Sequence, residues 1–227
     1  GITAVSQNLR DETYKHFQIE KDIEVIVNFV DVSRFSRKPL DAFKKVIAPN
    51  GERILLHASN FRKIKRVQDV VKIFYEVQKQ IPSKLLFVGD GPERSTAEDL
   101  SRELGVCDEI RFVGKQEQME DILAIGDLFL LTSEYESFGL AALEAMAAGV
   151  PVVSTNAGGL KEIIVQGETG FMSDVGDIDS MSKQALSILS DNKTLQSFKE
   201  KAAAQARKFD IHNIIPVYEK LYERFLK

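Results

Sequence analysis

The stretch DLFLLTSEYESFGLAALEAMAAGVPVVSTNAGG, Asp127–Gly159, holds a strand, a helix and a second strand in 33 residues. Residues 127–133 read as a strand whose centre, 128–131, is continuously apolar and bounded by polar residues. Phe138–Ala148 reads as a helix, ended by Gly149-Val150-Pro151. PVVSTNAGG then returns to strand and closes in a glycine turn. A strand that is apolar on both faces belongs inside a parallel sheet, and its crossover helix brings the next strand alongside in the same direction.

The same alternation runs outward. RILLHAS (53–59), KLLFVGDGPE (84–93) and EIRFVG (109–114) read as strands, the second ending in a Gly-rich turn. VQDVVKIFYEVQKQ, STAEDLSRELG and QMEDILAIG between them have helical spacing, with apolar residues of the first at 67, 70, 71, 74 and 77. A short element lies near 170–172, and 177–190, 192–209 and 212–226 read as helices. The expected fold class is α/β: a doubly wound, parallel, Rossmann-like sheet over roughly residues 32–211. Residues 1–31 read as a strand, a helix and a strand of a different unit. FVDVSRFSRKPLDAFKKVIAPNGE is expected to be an irregular, charged crossing between units. The opening GITAVSQNLRDETY resembles the middle of a fold and lacks the layout of a signal peptide, so the chain is expected to begin inside a larger protein.

Composition narrows the function classes. The chain has 227 residues, 44% hydrophobic and 28% charged, which suits an ordinary globular protein. A net charge of −4 argues against bulk attraction to nucleic acid or anionic membrane, and no apolar run has the length of a membrane span. The single cysteine, Cys107, excludes an internal disulfide and fits a cytoplasmic setting. It is expected to be a small, partly buried residue.

In open α/β sheets ligands bind beyond the carboxyl ends of the strands, and the unusual residues fall there. FRKIKR (61–66) puts four basic residues between a strand end and a helix start, which fits a phosphate site or a solvated basic loop. With Phe61 as its sole aromatic, it fits a nucleic-acid patch less well. GDGPE (89–93) permits a tight turn and close ligand approach at Gly89, or is a simple strand-to-helix turn. It lacks the third glycine of the dinucleotide fingerprint. From Leu140 to Ala148 every residue but Glu144 is apolar, so the helix is expected to be buried all round. Glu144 has only Leu140, Ala141, Ala147 and Ala148 at helical neighbour positions, so no local ion pair is open to it. Its side chain leans toward the helix N-terminus, the ligand edge. Glu136 lies just before that N-terminus, where an acid is favourable by about 0.3–1 kcal/mol without any ligand. Between them, the amides of Phe138, Gly139 and Leu140 could receive a phosphate, with Gly139 keeping the approach open. Carboxylates repel phosphate but accept hydrogen bonds from vicinal hydroxyls, as from a ribose. Phosphate donors flanked by two hydroxyl readers suit a nucleotide sugar. His57, inside an apolar strand, is expected to be a satisfied core residue.

Glu136 and Glu144, with AMAAGVPVV and AGGLKEII behind them, resemble the E-x7-E signature of family 4 retaining glycosyltransferases of the GT-B fold. VIVNFVD..RF (25–35) is similar to that family's hinge segment, and SNFRKIKR stands in place of its phosphate loop, with Asn60 where an arginine is usual. Arg62 is the candidate to compensate. The resemblance implies that Lys65, helped by Asn60 or Arg62, neutralises the donor diphosphate. It implies that the amides at 138–140 bind diphosphate and sugar, that Glu136 holds sugar hydroxyls and Glu144 the ribose, and that the backbone at Val113 and Gly114 holds uracil. It further implies that Lys65, Arg62 and Glu136 are the catalytic residues. No metal and no cofactor are expected. The Ser-Asn-Phe-Arg variant is most similar to members that move N-acetylglucosamine from UDP-N-acetylglucosamine to a small hydroxy acid, L-malate, in bacillithiol biosynthesis. On this resemblance residues 1–31 end an acceptor-binding half, 32–211 form the donor-binding half and 212–227 cross back to the first. Tyr218, Leu221, Tyr222 and Phe225 would be the packing face of that last helix. The chain alone would then bind donor without turnover. A UDP-sugar 2-epimerase of the same fold and a non-catalytic nucleotide-sugar-binding module remain open alternatives.

Overall fold

Leu55 and Leu56 are sequence neighbours, yet they belong to two separate cores. That split is the signature of a sheet covered on both faces. The computed structural model describes residues 1–36 and 41–226. In chain order the elements are β1 (Ile2–Ala4), α1 (Gln7–His16), β2 (Ile23–Val25), α2 (Val32–Phe35), α3 (Asp41–Ile47), β3 (Arg53–Ser59) and α4 (Val67–Gln78). Then follow β4 (Ser83–Gly89), α5 (Arg94–Glu103), β5 (Ile110–Gly114), α6 (Met119–Ala124), β6 (Leu128–Leu131) and α7 (Leu140–Ala147). The rest are β7 (Val152–Thr155), α8 (Leu160–Ile163), β8 (Gly170–Ser173), α9 (Ile178–Leu189), α10 (Asn192–Ala206) and α11 (Ile211–Glu223).

β3 to β8 form one six-stranded sheet in the order β5-β4-β3-β6-β7-β8, with every pairing parallel. On one face Leu56, Leu86, Phe129 and Val152 pack with Leu143 and Met146 of α7 and Ala202 of α10. On the other, Leu55, Phe87, Leu130 and Val153 pack with Val70 and Phe74 of α4 and Ala185 of α9. The order runs outward from β3 through β4 to β5, then restarts at β6 on the other side of β3. The order in which strands are laid down therefore reverses between β3 and β6, and the connections leaving those two parallel strands diverge to opposite faces. This is the crevice where doubly wound sheets hold ligands.

The expected irregular connector contains two helices, α2 and α3. Asp31 caps α2 by accepting from Arg34 N at 3.1 Å, and the Phe35 ring is buried in the first core. A polar cap and one buried anchor suffice for a turn of helix despite the charged composition. Residues 37–40 of that connector lie outside the described residues, as does Lys227 of the terminal segment. Cys107 is exposed, against expectation: the turn after Gly105 buries Val106 and faces the thiol to solvent.

β1 and β2 pair in a separate two-stranded parallel sheet with α1 between them in sequence. Ser6 accepts from Leu9 N at 3.0 Å, capping α1, and donates to Ser137 O at 2.5 Å. Glu162 accepts from Gln7 N at 3.0 Å and Asn8 N at 2.9 Å. The start of the chain is thus tied to the turn before α7. α11 lies against the same unit: Tyr218 donates to Ile26 O at 3.4 Å, and Arg224 pairs with Glu24. Of the four residues expected to form its packing face, Leu221 is buried, whereas Tyr222 and Phe225 are exposed.

Candidate functional site

Two turns meet at the crevice. The first, leaving β3, is built around Phe61. Its φ is +39°, a costly backbone state for a bulky residue, of order 1–3 kcal/mol. Burial offsets that cost: the ring is fully enclosed, with His57 at 6.0 Å and Phe87 at 5.6 Å between centroids. Ser59 Oγ accepts from Phe61 N at 3.2 Å. His57 is fully buried and bonded through both ring nitrogens, to Leu130 O and Ser59 Oγ, and burial lowers its pKa to about 4. It is the satisfied core residue that its sequence setting implied, and in its neutral form it anchors the turn. Pinned this way, the turn leaves Asn60 and Arg62 exposed at the crevice and sends Lys65 across it.

The second turn leaves β6 and carries Glu136. Lys65 Nζ lies 2.6 Å from Glu136 Oε1, and Ser133 Oγ donates to the same oxygen at 2.7 Å. Thr132 Oγ1 holds the first turn from beneath, at 2.9 Å from Lys65 O and 3.0 Å from Arg66 O. Arg66 is drawn aside by Asp69 (2.6 Å) and Glu134 (3.2 Å), so Lys65 is the basic residue of FRKIKR that meets Glu136.

α7 starts at Gly139, with φ +95° and no side chain capping its first amides. Gly139 is required by that φ and by Leu160, since a Cβ would sit 2.4 Å from Leu160 Cδ2. The expected reason, open approach for a ligand, is not what fixes this glycine. Gly89 is similar: a Cβ there would fall 1.8 Å from Ser59 O, so backbone of the neighbouring turn fills the space expected for a ligand. Gly114 differs, with φ +71° and open space within 4 Å of where a Cβ would stand. Phe138 is buried against Phe209 and anchors the turn.

α7 is not buried all round. Leu140 is 42% exposed, and Leu140, Glu144 and Ala148 form its more open stripe at four-residue spacing, while Ala142, Leu143, Ala145, Met146 and Ala147 are buried. Burial raises the Glu144 pKa, the charge of Arg34 partly opposes the rise, and Glu120 adds to it. Glu144 has no ion-pair partner on its own helix, but Arg34 supplies a compensating charge from α2. Arg34 reaches Glu120 Oε2 at 3.1 Å. Val113 lines a cavity of about 320 Å³ with Phe43, Leu86, Gln116, Asp121 and Ile122, and Gln116 Nε2 donates to Val113 O at 2.6 Å.

The structure thus joins Lys65 to Glu136, sets Glu144 on the open stripe of α7 within reach of the Arg34 charge, and leaves Val113 lining a cavity at the end of β5. Thr132, Ser133 and Arg34 escaped sequence reasoning. The S-x-x-E spacing of Ser133 and Glu136 was a usable signal for one of them; the others act across 67 and 110 residues of sequence. Among the described residues no group of three His, Cys, Asp or Glu could hold a metal ion, and no helix is long and apolar enough to cross a membrane.

Comparison with known proteins gives these residues a family. N-acetyl-alpha-D-glucosaminyl L-malate synthase of Bacillus anthracis is 41% identical over 228 residues, covering all of this chain and 60% of the synthase. A 2-deoxystreptamine N-acetyl-D-glucosaminyltransferase of Niallia circulans is 32% identical over 157 residues, 66% of this chain and 40% of that enzyme. The chain therefore spans 60% or less of the length of these relatives. Anabaena HepE, solved with UDP and glucose, superposes with a TM-score of 0.88 at 23% identity, covering 97% of this chain and 62% of HepE. That likeness shows a fold shared with GT-B glycosyltransferases. The sequence pattern of the Glycosyl transferases group 1 family matches residues 40–205, the span that holds both turns of the crevice, and the chain belongs to that family.

Proposed function

We propose that this chain is the donor-binding portion of a retaining, metal-independent glycosyltransferase that moves N-acetylglucosamine from UDP-N-acetylglucosamine to a small hydroxy acid, L-malate. One observation carries the reading: a lysine and a glutamate paired at 2.6 Å beside an uncapped helix start, in the crevice between β3 and β6. The 41% identity to the malate synthase supports the choice of donor sugar and acceptor.

In this reading Lys65, with Arg62 and Asn60 from the same turn, neutralises the diphosphate, and the amides at 138–140 bind it at the positive end of α7. Glu136 accepts hydrogen bonds from the donor sugar and Glu144 from the ribose. The backbone at Val113 and Gly114 takes the uracil, Val113 lining the 320 Å³ cavity. Cleavage of the anomeric C–O bond leaves UDP, and donors aimed at the leaving phosphate supply the main catalytic term, about 3–4 kcal/mol for each in comparable sites. The acceptor hydroxyl then attacks on the face that UDP leaves, and the phosphate oxygen takes its proton.

Calorimetry with UDP-N-acetylglucosamine, UDP-glucose and ADP-glucose tests the donor. The expected order of affinity is as written. Equal binding of ADP-glucose, or no binding of any UDP species, would sink the assignment.

A further inference from the structure

Glu136 is held more firmly than a ligand-reading carboxylate on a surface turn needs to be. Its Oε1 accepts from two donors, Lys65 Nζ at 2.6 Å and Ser133 Oγ at 2.7 Å, while Oε2 takes neither bond. Ser133 is fully buried at the end of β6. Its main chain is fixed separately, since its carbonyl accepts from Thr155 Oγ1 at 2.6 Å in the neighbouring strand. The hydroxyl is therefore free to serve the carboxylate alone. The residue before it, Thr132, fixes the opposite partner by bonding the Lys65 carbonyl. Consecutive residues of one strand end thus hold both members of the ion pair.

We infer that Ser133 is a positioning residue for donor-sugar recognition: its hydroxyl and Lys65 together saturate Oε1 of Glu136, so that Oε2 is presented to the ligand in one fixed direction. The inference rests on the assignment of Glu136 to the donor sugar. A glutamate left to rotate loses that direction and must be ordered when the sugar binds, which weakens the sugar contact and leaves the phosphate contacts as they were. A carboxylate with a single fixed acceptor also distinguishes hydroxyl geometry better than a mobile one. Neither effect needs Ser133 to touch the ligand.

The test compares UDP-N-acetylglucosamine with UDP by calorimetry in the 227-residue chain and its variants Ser133→Ala, Glu136→Ala and the double variant. In Ser133→Ala the sugar nucleotide should bind about tenfold more weakly, with UDP within about twofold of the parent. In Glu136→Ala the sugar-dependent gain should vanish, and adding Ser133→Ala should change nothing further. If Glu136→Ala removes the gain and Ser133→Ala does not, the inference is wrong. Equal weakening of both ligands in Ser133→Ala also overturns it, because that pattern marks a general structural defect. If Glu136→Ala itself keeps the full gain, the assignment of Glu136 fails first and the inference falls with it. Should Ser133→Ala fail to fold, Ser133→Cys, a near-isosteric and weak donor, carries the same comparison.

Discussion

Glu136 and Glu144 stand with seven residues between them and live in opposite electrostatic circumstances. Glu136 is bound on one oxygen by an ammonium at 2.6 Å and a hydroxyl at 2.7 Å. Glu144 sits on the open stripe of a largely buried helix, and burial pushes its pKa up. Its nearest compensation, Arg34, is already paired with Glu120 at 3.1 Å. One carboxylate is satisfied before any ligand arrives; the other carries an unpaid desolvation cost. A hydroxyl donor gains more at the second site, because it supplies hydrogen bonds that the protein does not. The satisfied carboxylate offers geometry and the strained one offers affinity.

Removing the cation from the satisfied side should have the strongest effect. Lys65→Ala takes away the proposed diphosphate partner and leaves Glu136 with Ser133 alone. UDP affinity should fall about 30- to 100-fold, the worth of a hydrogen bond to charge plus the repulsion of an unneutralised glutamate. Calorimetry with UDP measures it, and a change under threefold would separate Lys65 from the phosphates.

On the strained side, Glu144→Gln should weaken UDP about tenfold while making the free chain more stable at neutral pH. The raised pKa means that folded Glu144 binds its proton more tightly than unfolded Glu144 does. Its favourable share of stability is present in acid and is lost as pH climbs through the folded value. Glutamine removes that loss. Thermal unfolding at pH 8 should show Glu144→Gln melting a degree or two above the parent, with the gap closing in acid. A variant less stable than the parent at pH 8 would mean that Glu144 already has its partner.

Much of this was legible in the linear sequence, for physical reasons. Strands buried on both faces leave no room for polar residues, so DLFLL and RILLHA announce a parallel sheet, and glycine turns after them mark the ligand edge. The isolated charge of Glu144 was legible because helix periodicity lists its neighbours in advance. What stayed hidden needs the third dimension. Arg34 meets Glu120 across 86 residues, and no local rule pairs them. Gly89 and Gly139 were visible as turn glycines. Their steric reasons, Ser59 O and Leu160, belong to other elements and appear only when the chain is folded. Phe61 read as a stray aromatic in a basic loop, whereas its buried ring is what holds that loop in a strained turn.

Arg34 gives the finest test of the contrast, because its charge acts on Glu144. That charge lowers the Glu144 pKa against the effect of burial, and Glu120 raises it. Arg34→Met removes the lowering influence and leaves the Glu120 charge less neutralised, so both changes raise the Glu144 pKa further. Ionised Glu144 is the better acceptor for ribose hydroxyls, so UDP affinity should rise with pH through the Glu144 titration and then level. In Arg34→Met that rise should be displaced to higher pH, with the plateau within about threefold of the parent, as for the loss of a remote, partly screened charge. In Glu144→Gln the rise should be missing. Lys65→Ala, by contrast, should lower the whole curve without moving it. A pH series of UDP titrations on the parent and these three variants reads the difference directly. If Arg34→Met lowers the curve uniformly and leaves its midpoint in place, Arg34 acts on the phosphates, and the two carboxylates are not as separate as their surroundings imply.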